Sequence, residues 1–345
     1  MSTKNDAAES VKFGIALTNQ HPVGRDQREA LDEQLQLLRS ARDSGWDSVF
    51  AAQHYLSDPL THIQPLPYLA RLAAEAGEME VGIGILLLAL HNPIEVAENY
   101  ASLDVVCGGR LIFGVGLGYR QEEYDAFGIS VRERVRRLEH NLDLVRRLWA
   151  GETVDADLPW CRLRGARLTL RPVNESGPPV WMAANNDGAV ERAGRLADTW
   201  MINPHATAAT IERQIALFRQ ARRDACRPEH VGLPLSREIF CAPTRAEATE
   251  RARPFLQRKY ETYSAWGQDQ VMPANESFDL PFEQLADDRF VIGTPDDCIR
   301  LLLPWRQLGV DHFVLRTCWS GMPVADALHS IDLLTREVLP ALRYG

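Results

Sequence analysis

The chain has 345 residues, of which 45% are hydrophobic and 25% charged, as is usual for a globular protein. Lys and Arg total 38 against 47 Asp and Glu, and the resulting net charge of −9 argues against nucleic acid as a partner. No apolar run reaches the roughly 20 residues that a membrane span needs. The N-terminal ten residues are polar and lack a signal-peptide core, so we expect a cytoplasmic protein that does not bind membranes.

The residues that most often bind metals show no ligand spacing. Six cysteines are scattered along the chain without a Cys-x-x-Cys pair, which predicts free thiols in a reducing compartment. Nine histidines lack a His-Glu-x-x-His or comparable pattern, so we predict no metal.

Apolar strands and amphipathic helices alternate along the chain. Strands are predicted at residues 11–18, 46–51, 81–88, 111–115, 180–184, 199–203, 235–242 and 310–317. Helices are predicted at residues 27–44, 64–76, 93–106, 130–149, 188–196, 208–225, 245–260, 295–308 and 325–339. Repeated strand–helix units predict an α/β fold, a (β/α)8 TIM barrel, with a doubly wound open sheet as the alternative. We expect residues 1–10 to be disordered and residues 11–345 to form one domain.

Two stretches break the alternation. Residues 151–179 contain several prolines and an alternating segment at 161–170, which predicts a hairpin within an insertion after the fourth unit. Residues 263–280, after strand seven and its helix, have no clear period. A long irregular segment of this kind is usually functional, so we interpret it as a lid loop, with disorder as the alternative. Both stretches are expected to shape a substrate pocket.

The fourth predicted strand is unusually rich in glycine. Gly114, Gly116 and Gly118 occupy alternate positions, and Tyr119 and Arg120 follow them. So many glycines in a strand indicate that backbone or a ligand approaches closely. The spacing is not Gly-x-Gly-x-x-Gly, so a dinucleotide site is a poor match, and a tight turn without a ligand is the alternative.

In barrels of this kind the active site lies at the carboxyl ends of the strands. Here those ends carry amides, histidines and few acids. They lack the paired carboxylates of a glycosidase and a serine or cysteine nucleophile with an evident base. Such a set suits a bound aromatic cofactor that performs the chemistry itself.

Several motifs resemble the bacterial luciferase-like superfamily of flavin-dependent oxidoreductases. The most specific are Ala-Ala-Gln-His-Tyr at 51–55, Gly-Ile-Gly-Ile-Leu-Leu-Leu at 82–88, and the run from His-Asn-Pro at 91–93 through Gly-Gly-Arg at 108–110 to residue 128. The similarity covers nearly the whole chain. It implies FMN as the cofactor, with the deazaflavin F420 as the alternative, and a homodimer.

The resemblance also implies roles for individual residues. His54 and Gln53 correspond to an adjacent histidine pair of luciferase-type members, so they are the catalytic candidates. The bond between Gly84 and Ile85 corresponds to a non-proline cis peptide in a strand bulge beneath the flavin ring. The other expected cofactor contacts follow strands four and five: Gly116, Gly118, Tyr119, Arg120, Ala184, Asn185, Asn186 and Gly188. Weaker candidates for the site are Tyr55, Asn203, His205, Glu238 and Arg316. Asn185 and Asn186 have helix capping as an alternative role.

The preferred function is a monooxygenase that uses reduced FMN and O2 to oxygenate a small organic substrate. Reduced FMN would come from a separate flavin reductase, since no NAD(P)H-binding motif is visible, and His54 would act as acid or base. The alternative is hydride transfer to or from F420. A less favoured reading is a non-catalytic flavin-binding protein.

Overall fold

The computed structural model describes residues 11–344, and strands and helices alternate through it. The strands are β1 Lys12–Ala16, β2 Gln20–Pro22, β3 Ser48–Ala51, β4 Leu60–His62, β5 Glu80–Leu87, β6 Leu111–Gly116, β7 Val154–Leu158, β8 Cys161–Ala166, β9 Val180–Ala183, β10 Thr199–Met201, β11 Leu233–Cys241, β12 Phe290–Gly293 and β13 Val310–Arg316. The helices are α1 Gln27–Asp43, α2 Pro65–Ala73, α3 Pro93–Val106, α4 Gln121–Ala126, α5 Arg134–Trp149, α6 Asp187–Leu196, α7 Ala208–Asp224, α8 Arg245–Ala265, α9 Phe282–Asp287, α10 Pro295–Gln307, α11 Val324–Leu333 and α12 Leu339–Tyr344. Residues 1–10, predicted to be disordered, lie outside the described residues.

Nine strands form one parallel sheet that curls on itself. Their order is β10-β9-β6-β5-β3-β1-β13-β11-β12. Just after β10, Ile202 forms a parallel bridge with Leu235 of β11. Its amide donates to Pro234 O at 2.9 Å, and Ser236 donates back to Ile202 O at 2.8 Å. This bridge connects β10 to the far side of the sheet, which an open doubly wound sheet would not do. The predicted parallel α/β fold is therefore confirmed.

The sheet is buried on both faces, as parallel sheets covered by helices are. All six residues of β6 are buried. Helix α1 shows the outer packing: Asp26 caps its first turn, and its apolar face, including Leu35 and Leu38, is buried. Inside the curled sheet lies a second, smaller apolar cluster, formed by Ala16, Phe50, Ile112, Trp181, Met201 and Val314. Among residues 11–344, no helix has the length and apolarity needed to cross a membrane.

The largest difference between the predicted and the observed elements is the end of α8. The helix was predicted to end at residue 260 and to be followed by an unstructured stretch, but it continues to Ala265. A short 3-10 turn, Asp269–Val271, follows it. The extra turn carries Tyr263 and Trp266, aromatic residues with modest helix propensity. Their rings pack against His54, so tertiary contacts overrode local preference.

Short elements were also missed. Strand β12 lies beyond β11 at the outer edge of the sheet, where only one neighbour pairs with it. Strands β2 and β4 form a separate antiparallel pair, each only three residues long. Within residues 151–179, β7 and β8 form an antiparallel hairpin apart from the main sheet; it spans residues 154–166 and so begins before the alternating segment at 161–170 that predicted it.

Strand β5 carries the irregularity that the family resemblance implied. The register between β5 and β6 shifts between Ile83 and Leu86. The Gly84–Ile85 peptide bond within this bulge is cis. Gly114 of β6 lies directly beside the bulge: a Cβ added there would be 2.0 Å from the carbonyl oxygen of Ile83. The prediction that these glycines allow close approach of backbone is therefore confirmed at Gly114.

Replacing Gly114 with alanine should destabilise the fold, because the new methyl group meets backbone atoms that cannot rotate away. We expect Gly114→Ala to lower the free energy of unfolding in urea by about 3 kcal/mol, in the upper range for overpacking. Gly188→Ala is the matched control, since its added Cβ would meet only Asn186 Oδ1, at 3.9 Å. Equal stability of the two variants would contradict the close approach.

Candidate active site

The carboxyl ends of the parallel strands surround a cavity of about 220 Å³. Its floor includes Ala16, Phe50, Ile85, Met201 and Val314, and its polar groups come from the loops and from α8. The structure brings the predicted site residues together here, except Arg120 and Gly188. Those that line the cavity are Gln53, His54, Gly84, Ile85, Gly116, Gly118, Tyr119, Ala184, Asn185 and Asn186. Of the weaker candidates, Asn203, His205, Glu238 and Arg316 line it and Tyr55 does not.

His54 is held by a buried carboxylate. It follows β3, is almost fully buried, and its Nδ1 lies 3.0 Å from Oε1 of Glu123. Glu123 lies in the first turns of α4 and is inaccessible to solvent. The same oxygen accepts a hydrogen bond from the Tyr55 amide at 2.9 Å. Glu123 thus fixes the ring and leaves Nε2 as the nitrogen available to a ligand.

Arg120 stabilises this arrangement from behind. Its guanidinium donates to the carbonyl oxygens of Tyr55 at 2.6 Å and Leu56 at 2.9 Å, and lies 3.7 Å from the Glu123 carboxylate. It also lies over the Trp266 ring, 4.3 Å from the centroid. Its hydrogen bonds are therefore made with the loop after β3 and with Glu122, and the structure does not bring it to the cavity wall as a phosphate ligand.

Gln53 bonds mainly to protein groups. Its side-chain oxygen accepts a hydrogen bond from the Leu87 amide at 2.9 Å, and its nitrogen donates to the Tyr55 hydroxyl at 3.0 Å. His91 Nε2 lies 3.2 Å from the same side-chain oxygen. These bonds tie the ends of β3 and β5 together, which is a positioning role beside the cavity.

An aromatic group covers His54 on the open side. The rings of Tyr119, Tyr263 and Trp266 lie 5.9, 6.1 and 5.4 Å from the His54 ring, centroid to centroid. The Tyr263 hydroxyl donates to Gln20 Oε1 at 3.1 Å, and the Trp266 indole donates to Asp58 O at 3.1 Å. Burial raises the pKa of Tyr263 to about 12, so its hydroxyl stays protonated at neutral pH.

The loop from β9 into α6 combines capping with exposure to the cavity. Asn186 is the N-cap of α6, and its side-chain oxygen accepts a hydrogen bond from the Ala189 amide at 3.1 Å. The Asn185 side chain bonds to that of Asn203. The alternative capping role is therefore confirmed for Asn186. Gly188 lies within the first turn of α6 and outside the lining.

Two arginines line the cavity together with Asn185 and Asn186. Arg192 of α6 donates to Glu139 at 3.0 Å. Arg134 begins α5 and has no carboxylate within ion-pair distance among residues 11–344. The N-terminus of α6 adds free amide groups, a combination that binds anions. Neither arginine was predicted as a site residue, because both lie in helices rather than at the ends of strands.

The rim below α8 carries a second set of charges. Lys259 forms a close ion pair with Glu238, which also accepts a hydrogen bond from the Trp319 indole at 2.5 Å. Burial lowers the pKa of Lys259 to about 8, although Glu238 opposes the shift. His205 is buried nearby, and burial followed by the charge of Lys259 keeps its pKa well below 6.5, so it is neutral at pH 7.

The functional residues that the sequence did not predict have a common location, because they lie in helices. Glu123 and Lys259 lie in helices rather than at strand ends: Lys259 lines the cavity from α8, and Glu123 lies behind the lining and contacts it through His54. Tyr263, by contrast, is the first residue of the predicted lid. The available signal for Glu123 was the Glu122–Glu123 pair, which follows the glycine-rich strand closely in the sequence. No residue of 151–179 lines this cavity, so the predicted contribution of that stretch to the pocket is not observed.

Removing Glu123 should be far more destabilising than removing its neighbour. Glu123→Ala leaves His54 Nδ1 and the Tyr55 amide without their acceptor and removes the carboxylate that lies 3.7 Å from the buried Arg120 guanidinium, so we expect unfolding in urea to require about 3 kcal/mol less free energy. The matched control is Glu122→Ala: Glu122 also pairs with Arg120, at 2.7 Å, but its side chain is 62% exposed. That variant should lose about 0.5 kcal/mol or less. A similar loss in the free energy of unfolding for both variants would contradict the role of Glu123 as the residue that holds His54 in place.

Comparison with known proteins agrees with the motifs. The chain is 32% identical over 173 residues to 4-hydroxyprotoasukamycin monooxygenase from Streptomyces nodosus subsp. asukaensis, a match covering 50% of this chain and 47% of that protein. The match therefore spans about half the length of that relative. Over 88% of this chain and 91% of the relative, it is 24% identical to F420-dependent glucose-6-phosphate dehydrogenase from Nocardia farcinica. Flavin monooxygenases and F420-dependent oxidoreductases are thus both relatives.

Solved structures show the same fold. The monooxygenase RslO1 from Streptomyces bottropensis superposes with a TM-score of 0.83 at 23% identity, covering 95% of this chain and 99% of that one. Residues 11–312 match the family described as luciferase-like monooxygenase. The named relatives are monooxygenases and dehydrogenases, which makes this chain an enzyme rather than a non-catalytic flavin-binding protein. The chain belongs to the luciferase-like monooxygenase family.

Proposed function

We propose that the protein is a monooxygenase that binds reduced FMN and oxygenates a small organic substrate with O2. The observation that carries the proposal is the division of the cavity into an apolar floor and a polar rim. When bound, reduced flavin supplies the two electrons that a monooxygenation needs, in which one oxygen atom of O2 enters the product and the other is reduced to water. A floor of this kind keeps water from the reacting atoms.

The residues present fit a flavin. The Tyr119 hydroxyl is buried and has no hydrogen-bond partner among the described residues, so a ligand carbonyl or ring nitrogen would satisfy it. Gly84 and Ile85 would support the ring from the floor. Arg134, Arg192 and the N-terminus of α6 would hold the phosphate, the role that was predicted for Arg120.

The residues around the ring have separable tasks. Glu123 holds His54 so that Nε2 can give or take a proton at the reacting end of the cavity. Tyr263, Gln268 and Val271 line the cavity from α8 and the turn that follows it. We therefore propose that the region 263–280 covers the bound ligands, as a lid does.

Hydride transfer with F420 is the second candidate. It is supported by relatives that match along most of both chains, as the Nocardia farcinica dehydrogenase does. A histidine oriented by a carboxylate suits proton transfer at a substrate alcohol equally well. This reaction would need neither oxygen nor a reductase.

The FMN proposal requires a separate protein that reduces the flavin. One relative is the oxygenase component of a flavin-dependent trigonelline monooxygenase, from Acinetobacter baylyi, and its name implies a second component. A homodimer remains part of the proposal as the resemblance implies it. Light scattering tests the dimer, and addition of a flavin reductase tests the need for reduced flavin.

Anaerobic titration with photoreduced FMN, oxidised FMN and F420 should distinguish the two functions. We expect reduced FMN to bind at micromolar concentration, followed on admission of air by reoxidation with a time course unlike that of free flavin. Riboflavin, which lacks the phosphate, should bind about tenfold more weakly. Tight binding of F420 together with no binding of reduced FMN would refute the FMN proposal.

The phosphate ligands give that titration an internal control. Arg134→Gln should weaken reduced FMN about tenfold and leave reduced riboflavin unaffected, because only the phosphate contact is lost. Arg132→Gln, an exposed neighbour, should affect neither ligand.

Replacing His54 should affect chemistry more than binding. We expect His54→Gln to change the reoxidation rate of bound reduced flavin at least about tenfold, since the group that exchanges protons is removed. Flavin affinity should stay within about twofold. His140→Gln, which alters an exposed histidine outside the cavity, serves as the control. An unchanged rate in His54→Gln would remove His54 from the mechanism.

A further inference from the structure

The cavity wall formed by β11, β13 and α8 carries an excess of positive charge. Lys259, Arg237 and Arg316 line the cavity on this side, against a single acid, Glu238. Glu238 is fully used, because it pairs with Lys259 and accepts the Trp319 hydrogen bond. The Lys259–Glu238 pair is thus neutral as a unit and leaves the two guanidinium groups unbalanced.

Arg237 is the less accessible of the two guanidinium groups: it also borders a second cavity, together with Trp305, and its Nη2 is buried without a hydrogen-bond partner among the described residues. It is 2% exposed, donates to the carbonyl oxygens of Asn203 and Ser236, and stacks 4.5 Å from the Trp305 ring centroid. Arg316 differs. It ends β13, is only half-buried and, within the described part of the chain, donates a single hydrogen bond, to Leu17 O at 3.3 Å. Among residues 11–344, no carboxylate lies within 4.0 Å of its guanidinium.

A guanidinium with most of its donors unused beside an apolar floor is suited to a planar anion. Its paired N–H groups match the two oxygens of a carboxylate, with shorter and stronger bonds than a neutral acceptor would make. The uncompensated charge that is accessible here is the +1 of Arg316, since Lys259 is balanced by Glu238 and Arg237 is buried against Trp305. One negative charge therefore fits better than the two of a phosphate.

This position is also distinct from the phosphate end of the cavity. Arg316 follows β13 and Asn186 follows β9, with β10 and β11 between them around the sheet. Tyr263 connects Arg316's side to the reacting end: its ring lies 5.2 Å from Lys259 Nζ and 6.1 Å from the His54 ring. A small molecule can therefore reach both.

We propose that the substrate is a small organic carboxylate, and that Arg316, beside Lys259 and Tyr263, binds its carboxylate group while the carbon to be oxidised faces His54. The inference rests on the proposed function only in treating the bound acid as a substrate. The anion seat, defined as Arg316 and Lys259, requires no flavin to bind its ligand.

The test uses the full chain without cofactor and three probes that share a phenyl ring: benzoate, benzamide and phenyl phosphate. Calorimetric titration should give benzoate an affinity at least about tenfold above that of benzamide. Arg316→Gln should remove this preference, and Arg316→Lys should retain part of it, because charge stays while the paired donors are lost. Arg258→Gln, on an exposed neighbour of Lys259, is the matched control and should behave as the unmodified protein.

Each outcome decides the matter. Loss of benzoate preference in Arg316→Gln alone supports the seat. Equal affinity for benzoate and benzamide, or a preference that survives Arg316→Gln with an unchanged thermal midpoint, overturns it. Tighter binding of phenyl phosphate than of benzoate overturns the choice of a carboxylate. If benzoate binds through Arg316 but neither FMN nor F420 binds, the proposed function fails and the seat stands.

Discussion

The buried pairing of Glu123 with Arg120 is the interaction on which the rest of the site depends. Glu123 orients His54 and binds the Tyr55 amide, while Arg120 binds the carbonyl oxygens of the two residues that follow His54. One ion pair thus fixes both sides of the loop after β3. Ionised groups this deeply buried are costly unless each finds several partners, and the loop supplies them. The position of His54 is therefore set by α4, an element of six residues.

The second constraint is the separation of charge inside the cavity. Arg134, Arg192 and the N-terminus of α6 lie on one side, and Arg316 with the Lys259–Glu238 pair lies on another. Between them the floor is apolar. A ligand or pair of ligands with negative groups at both ends and a neutral, flat middle would match this distribution. Relatives that use different flavins on the same fold can differ at one side without disturbing the other.

The parallel α/β fold could be predicted from the sequence because its signals are local. Continuous apolar runs such as residues 81–88 identify strands that are covered on both faces, and the glycines of β6 indicate the close approach found at Gly114. The residues after each strand could be named for the same reason. The charged residues that helices contribute could not be named: Lys259, which lines the cavity, and Glu123, which orients His54, look like ordinary surface charges until the helices are packed. Likewise, the last turn of α8 could not be predicted locally, because Tyr263 and Trp266 make their contacts with His54 and Arg120, residues far away in sequence.

That last turn of α8 has a kinetic consequence. Tyr263 is bonded to Gln20, and Trp266 is bonded to Asp58 and stacked on Arg120, so three loops are fastened to one another above His54. If ligands cross this rim, these contacts must break together before exchange occurs, and the opening frequency rather than the chemical step can then limit turnover. The loop that carries Asp58 would then help to set the rate of opening, although Asp58 does not line the cavity. Substitutions in the loops that contact Tyr263 and Trp266 would then change the turnover rate while every residue that lines the cavity stays the same.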